Sequence, residues 1–331
     1  MFAARGIAVS FSIFVTLYCV LSLAVWCVWR QVWLGGQRHS AKRCADLLFA
    51  LRLIPLAVAC GVTLVFAVPS FLLLEPRSVD EPMGVVPLVL GCCGMAVLLV
   101  GVWKAVAALQ RASQNVARWS SAATLLGSGL TDVAAGDSTP SDSPNPVLML
   151  RISGAAPPLT TAGILRPRVW LSRAAEFVLT ERELQCALRH ERVHVRRHDN
   201  LRKLILRLVA FPGMAQLESA WREAMEMAAD DAAVASASEA LDLAAAVIKL
   251  SRLVPLRSPG ELTTALVHSP AESVNARVER LIAWEERRER PSQEWFSRFA
   301  LCAALAATAT LVLTYRDLLL QVHAATEWLV R

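Results

Sequence analysis

Three uncharged apolar stretches, Gly6 to Trp29, Leu53 to Leu74 and Met83 to Trp103, constrain this chain more than any other feature. Each has the roughly 20 residues needed to cross the hydrocarbon core of a bilayer, where a helix satisfies its backbone polar groups within one segment. A fourth stretch, Phe299 to Tyr315, lies at the lower limit of that length. Composition agrees: 55% hydrophobic residues and a mean hydropathy of +0.44 are high for a soluble protein of 331 residues. The first stretch reads as a retained span, because its apolar run is too long for the h-region of a signal peptide and no small-residue cleavage site precedes Arg30.

Loop charges set the expected orientation, since Lys and Arg are retained on the cytoplasmic side. Between the first two stretches lie Arg30, Arg38, Lys42, Arg43 and Arg52 against Asp46, whereas Glu75, Asp80 and Glu81 outweigh Arg77 in the next loop. Lys104, Arg111 and Arg118 follow the third stretch, and Arg287, Arg288, Arg290 and Arg298 precede the fourth. The region between them is therefore expected in the cytoplasm, with the N-terminus and the last 16 residues outside. The net charge of +6 reflects this flanking pattern, not a basic patch interleaved with aromatic residues, so no direct nucleic-acid partner is expected. Of the eight cysteines none forms a CxxC pair, and Cys186, the one nearest the polar centre, reads as a core residue.

Residues 120–146 are rich in Ser, Ala, Gly, Asp and Pro and read as a linker or mobile loop. From Val147 to Leu171 short apolar runs broken by Pro157, Pro158, Gly163 and Pro167 predict a small β-hairpin or meander. Within it Ile164 to Leu171 reads as a strand, and Pro167 places that strand at a sheet edge, where Val169 and Leu171 would dock an extended substrate. Thr180 followed by Glu183 predicts a capping box that opens a helix running to about Val209, before Pro212 and Gly213. A second helix is expected from about Ala215 to Ala237.

The first of these helices carries His190-Glu191-Arg192-Val193-His194, an HExxH motif. At 3.6 residues per turn the two histidines share a face, so both imidazoles can reach one zinc ion, and Glu191 stands where a carboxylate can take a proton from water at the metal. With six histidines in the chain, a chance HExxH has a likelihood on the order of one in a hundred. His198 lies eight residues from His190, about 12 Å along a continuous helix, and reads as a surface or interfacial residue. On the second helix Glu226 and Asp230 are one turn apart, so one can coordinate while the other supports a histidine N–H.

These residues resemble the BlaR/MecR-type membrane antirepressor zinc metallopeptidases. The match is to Gly163 to Ser172 (GILRPRVWLS), His190 to Asn200 (HERVHVRRHDN) and Glu226 to Asp231 (EMAADD), and Asn275 to Trp284 (NARVERLIAW) is similar to the family's element before its last span. The resemblance implies His190, His194 and Glu226 as zinc ligands, Glu191 as catalytic acid and base, and supporting roles for Asp199 and Asp230. It departs at Ala229, where the family often has cysteine. Antibiotic-sensing members carry an extracellular penicillin-binding domain after the last span, whereas 16 residues follow Tyr315 here and no S-x-x-K motif occurs, so covalent β-lactam sensing is not expected.

The expected protein is mainly α and polytopic, with four transmembrane helices and a cytoplasmic zincin-like domain in which a small β element packs beside the HExxH helix. Its expected domains are 1–110 (three spans with short loops), 111–146 (linker or mobile loop), 147–296 (zinc metallopeptidase domain) and 297–331 (fourth span and extracytoplasmic tail). Expected function is hydrolysis of a protein substrate, by family resemblance a cytoplasmic transcriptional repressor, by an enzyme of the cell membrane that contacts the bilayer and is able to form homo-oligomers. The alternatives are a prenyl-protein or HtpX-type quality-control membrane protease, and a non-catalytic membrane signalling scaffold. The orientation is checked by reporter fusions: one at Ala135 should report cytoplasm and one at Ser78 the exterior, and the reverse pattern would overturn the assignment.

Overall fold

The computed structural model describes residues 2–36, 40–74, 84–121, 123–125, 149–152, 157–209, 211–253, 263–265, 271–284 and 314–324. Contacts between residues divide the chain into two units, one of residues 1–27, 51–100 and 287–331 and the other of residues 28–50 and 101–286.

The first unit holds parts of three long apolar helices. They are α1 (Phe2–Gly36), α2 (Ala41–Val62), which continues through a π-helical turn (Thr63–Ala67) into α3 (Val68–Leu74), and α4 (Val85–Ser121). Three segments, Phe2–Gly35, Ala41–Leu74 and Val85–Ser121, are long and apolar enough to cross a membrane. The fourth expected span, Phe299 to Tyr315, lies outside the described residues except for its last two positions, Thr314 and Tyr315. Lipid offers no hydrophobic drive for one apolar helix to leave it for another, so close packing depends on small residues. A Cβ on Gly91 would stand 2.7 Å from the Ala8 carbonyl oxygen and one on Gly94 2.5 Å from that of Phe11, so α1 and α4 touch backbone to backbone. The Ser12 hydroxyl, 2.7 Å from the carbonyls of both Ala8 and Pro87, ties the same two helices.

The second unit is built on a five-stranded sheet of order β1-β2-β4-β3-β5, made of β1 (Ala123–Leu125), β2 (Met149–Ile152), β3 (Leu159–Ala162), β4 (Arg168–Ser172) and β5 (Thr263–Ala265). β2 and β4 are parallel and the other pairs antiparallel. Strand side chains alternate between faces. Met149, Leu159, Val169 and Leu171 point into one core, and Leu150, Ile152, Ala162 and Trp170 into another. The second face is covered by Val116 and Trp119 from the end of α4, with Trp119 edge-on to Trp170 at 5.9 Å. Residues 111–121, expected to begin a linker, instead continue the helix, because Val116 and Trp119 have this face to bury against.

Against the first face pack α5 (Arg173–Val178), α6 (Glu181–Arg196), α9 (Ala237–Leu253) and α10 (Ala271–Ile282), which bring Leu184, Leu188, Leu243, Val247, Leu250, Val274 and Leu281 into one core. Cys186 is buried there, as expected. α7 (Asp199–Leu208) and α8 (Ala215–Ala233) complete the unit.

Two expectations are corrected. β4 is a central strand, hydrogen-bonded to β2 on one side and β3 on the other, and Val169 and Leu171 are 1% exposed in the core. Neither can dock a substrate at a sheet edge, because β4 has no free edge. Pro167 precedes β4, in the turn where Gly163 has φ +104°, so its missing N–H costs the ladder nothing. The helix expected to run from Thr180 to Val209 is also broken. The capping box forms, with the Thr180 N–H donating to Glu183 Oε2 at 2.8 Å and the Glu183 N–H donating to Thr180 Oγ1 at 3.4 Å. α6 ends at Arg196, His198 turns left-handed at φ 53°, and α7 starts at Asp199. No Gly or Pro announces the break, although histidine is among the residues enriched in the left-handed region. Asp46 of α2 holds the junction by accepting from Arg202 at 2.6 Å and Arg197 at 3.3 Å.

The close approach of α1 and α4 predicts unequal effects for two glycines. Gly94→Val should cost about 1–3 kcal/mol by overpacking. Gly61→Ala, where nothing lies within 4 Å, should change stability by about 1 kcal/mol or less. Thermal midpoints of the detergent-solubilised protein measure both, and a Gly94→Val protein as stable as the parent would contradict the contact.

Candidate metal centre

Three elements meet at one point. α6 presents His190, Glu191 and His194 on its buried face, α8 presents Glu226 and Asp230 one turn apart, and α10 lies alongside α8. His190 and His194 have their Nε2 atoms 3.0 Å apart. Glu226 faces both, with Oε2 at 3.4 Å from His190 Nε2 and Oε1 at 3.8 Å from His194 Nε2. One donor atom from each of His190, His194 and Glu226 lies within 4.8 Å of the others. Two ligands bound tetrahedrally to one ion at 2.0–2.1 Å stand about 3.3 Å apart, so this donor set matches the spacing a metal requires.

The far side of each imidazole is also held. His194 Nδ1 is hydrogen-bonded to Asp199 Oδ2 at 2.7 Å, and His190 Nδ1 stands 3.0 Å from Asp230 Oδ1. A carboxylate behind each ring directs Nε2 at the shared space and raises its basicity. Asp199 reaches His194 because of the break at His198. Five residues on along a continuous helix, it would point about 140° away from His194. His198 itself is exposed and lies outside the cluster.

Glu191 is fully buried beside this group, and its Oε2 accepts a 2.6 Å hydrogen bond from Thr161 Oγ1. Strand alternation puts Thr161 on the same sheet face as Leu159, toward α6. Asn200 Nδ2 donates to the carbonyls of Thr161 at 3.3 Å and Gly163 at 3.1 Å, which ties β3 to the start of α7.

Arg277 of α10, buried at 1% exposure, completes the arrangement. Its Nε and Nη2 donate to Asp230 Oδ2 at 2.7 Å and Oδ1 at 2.6 Å, and its Nη1 lies 3.2 Å from Glu226 Oε2. Sequence reasoning assigned no role to Arg277, Thr161, Asn200 or the half-buried Lys203. A signal existed for Arg277, which lies on the apolar stripe of α10 with Val274, Val278 and Leu281. Thr161 had none, because a threonine in a strand is ordinary.

Burial works against charge throughout, and partners decide the outcome. Desolvation would raise Glu226, but His194, His190 and Arg277 hold its carboxyl down at about 2. Burial likewise opposes Asp230, which Arg277 and His190 hold well below the usual carboxylate range. Burial would lower His190, yet Asp230 and Glu226 raise its pKa to about 9. Glu191 goes the other way: desolvation pushes it up, only partly offset by His194, His190 and Thr161. Burial pulls Lys203 down against Glu226, Asp199 and Glu191. The cluster combines strongly held anions with one carboxyl whose proton affinity is raised.

A family model described as BlaR1 peptidase M56 matches residues 85–281, a segment that holds every member of this cluster. Comparison with curated proteins gave no match.

A metal ion must displace the proton from His190, whose affinity for it is raised. A group with a raised pKa keeps its proton below that value, so apparent metal affinity should climb with pH, by up to about tenfold per unit, and level off near pH 9, where His190 gives up its proton. Chelator-competition titrations across this range test it, and affinity independent of pH would contradict it.

Proposed function

Because the chain belongs to the BlaR1 peptidase M56 family, a family of metallopeptidases, we propose that it is a membrane zinc metalloendopeptidase of the gluzincin type that hydrolyses a protein substrate on the cytoplasmic side. The observation that carries the proposal is the meeting of His190, His194 and Glu226 donor atoms beside a buried Glu191. When bound, zinc supplies Lewis acidity, which polarises the scissile carbonyl and lowers the pKa of water. His190, His194 and Glu226 would hold it, and an all-nitrogen and oxygen donor set of this kind suits zinc.

Glu191 does the proton work. Thr161 fixes Oε2, while Oε1 is buried with no hydrogen-bond partner among the described residues. That oxygen is placed to take a proton from the attacking water. Its raised pKa suits the next step, in which the same proton is passed to the leaving amine. A non-catalytic scaffold has no use for a buried carboxyl pinned in this way.

The loop charges support a cytoplasmic active site, and family membership supports regulatory proteolysis, with a cytoplasmic transcriptional repressor as the substrate whose cleavage transmits a signal. Comparing proteins trapped by the parent and by Glu191→Ala in the native host tests the substrate class. Capture of membrane or prenylated proteins would favour a processing or quality-control role instead.

The two glutamates make separable predictions. Glu191→Gln should keep metal while cleavage falls by about 100- to 10,000-fold, the usual contribution of a general base. Glu226→Ala should lose metal and activity together. Asp230→Ala should weaken metal binding by about 10- to 100-fold. His198→Ala should keep both. Elemental analysis beside a peptide-cleavage assay decides: full zinc in Glu226→Ala with loss in His198→Ala would overturn the ligand assignment.

A further inference from the structure

Arg277 does more than fill the space between α8 and α10. Its fork closes on both oxygens of Asp230, and the remaining nitrogen faces Glu226 Oε2 at 3.2 Å, so one planar cation spans two anions from successive turns of α8. Asp230 Oδ1 is shared, at 2.6 Å from Arg277 Nη2 and 3.0 Å from His190 Nδ1. Glu226 Oε2 is shared as well, between the guanidinium and His190 Nε2 at 3.4 Å. Both side chains therefore divide their charge between Arg277 and the histidine that faces the metal position.

We propose that Arg277 is a positioning residue for the metal: by occupying one oxygen of Glu226 it limits that carboxylate to a single ligating oxygen, and by sharing Asp230 it tempers the charge passed to His190. The inference rests on the reading of His190, His194 and Glu226 as metal ligands. Its physical basis is geometric. A carboxylate with one oxygen ion-paired to a guanidinium at 3.2 Å gives up that attraction if it turns both oxygens to an ion, so coordination positions stay open for water and substrate. A lysine at 277 would restore the charge but not the planar fork that fixes three oxygens relative to one another.

Arg280 provides the control. It lies one turn further along α10 and pairs with Asp231 at 2.6 and 2.9 Å, away from the histidines. The full-length protein in detergent is loaded with zinc for chelator competition and with cobalt for its visible d–d spectrum, which reports coordination number. The expected results are that Arg277→Met weakens zinc binding by about 10- to 100-fold and lowers the cobalt band intensity as Glu226 becomes bidentate. Arg277→Lys should regain part of the affinity without the parental spectrum, and Arg280→Met should match the parent in both. Parental affinity and spectrum in Arg277→Met would overturn the proposal. Should that variant fail to fold, a parental cobalt spectrum in Arg277→Lys would overturn it equally. If the parent protein itself takes up neither metal, the ligand reading fails instead, and the two failures are told apart.

Discussion

His190, Glu191, His194, Asp199, Glu226, Asp230 and Arg277 are withdrawn from water together, and a buried charge is tolerated only when it is paired and hydrogen-bonded. The rest of the second unit can be understood as the means of meeting that requirement. α6 must bring two imidazoles, α8 two carboxylates and α10 one guanidinium into a connected series of contacts none longer than 3.8 Å. Each of the three helices therefore carries ionisable side chains on a face that otherwise reads as core. An ion pair that loses one partner leaves the other stranded, which makes such a cluster nearly all-or-none.

The sheet contributes through its alternation. Val169 and Leu171 pack beneath α6 and α9, while two residues into β3 Thr161 rises from the same face to hold Glu191. A shift of one residue in the register of β3 would send Thr161 to the Trp119 and Trp170 side and leave the carboxyl unheld. The break at His198 serves the opposite wall. α6 stops at Arg196, the left-handed His198 comes one residue before Asp199, and Asp199 then turns back onto His194 while Asn200 fastens β3. One left-handed residue thus links the ring of a histidine, a strand carrying the support for Glu191 and, through Arg197 and Arg202, the first turns of α2 at Asp46.

In the apolar helices the physics is different and so is the signature. Bilayer-length stretches, glycines where backbones meet and a hydroxyl bonded to a neighbouring carbonyl are what a lipid solvent favours. The exposed valines and leucines along α1, α2 and α4 are ordinary for helices of this kind.

Much was determined by local sequence. The apolar stretches, the capping box at Thr180, the HExxH spacing and the one-turn spacing of Glu226 and Asp230 depend on helical period and on neighbours within a turn or two, so they were legible without a fold. Residues distant in sequence could be brought together only by the tertiary structure. That Val169 and Leu171 lie in a central strand depends on β2 and β3 closing on both sides of β4, and pairing partners are not written in a strand's own residues. That Asp199 serves His194 depends on a left-handed turn stabilised by contacts to β3 and α2, which no Gly or Pro announces. That Arg277 lies against Glu226 and Asp230, 47 residues before it in the case of Asp230, depends on how α10 packs on α8. Local chemistry marked out the donors, while long-range packing chose the groups that hold them in place.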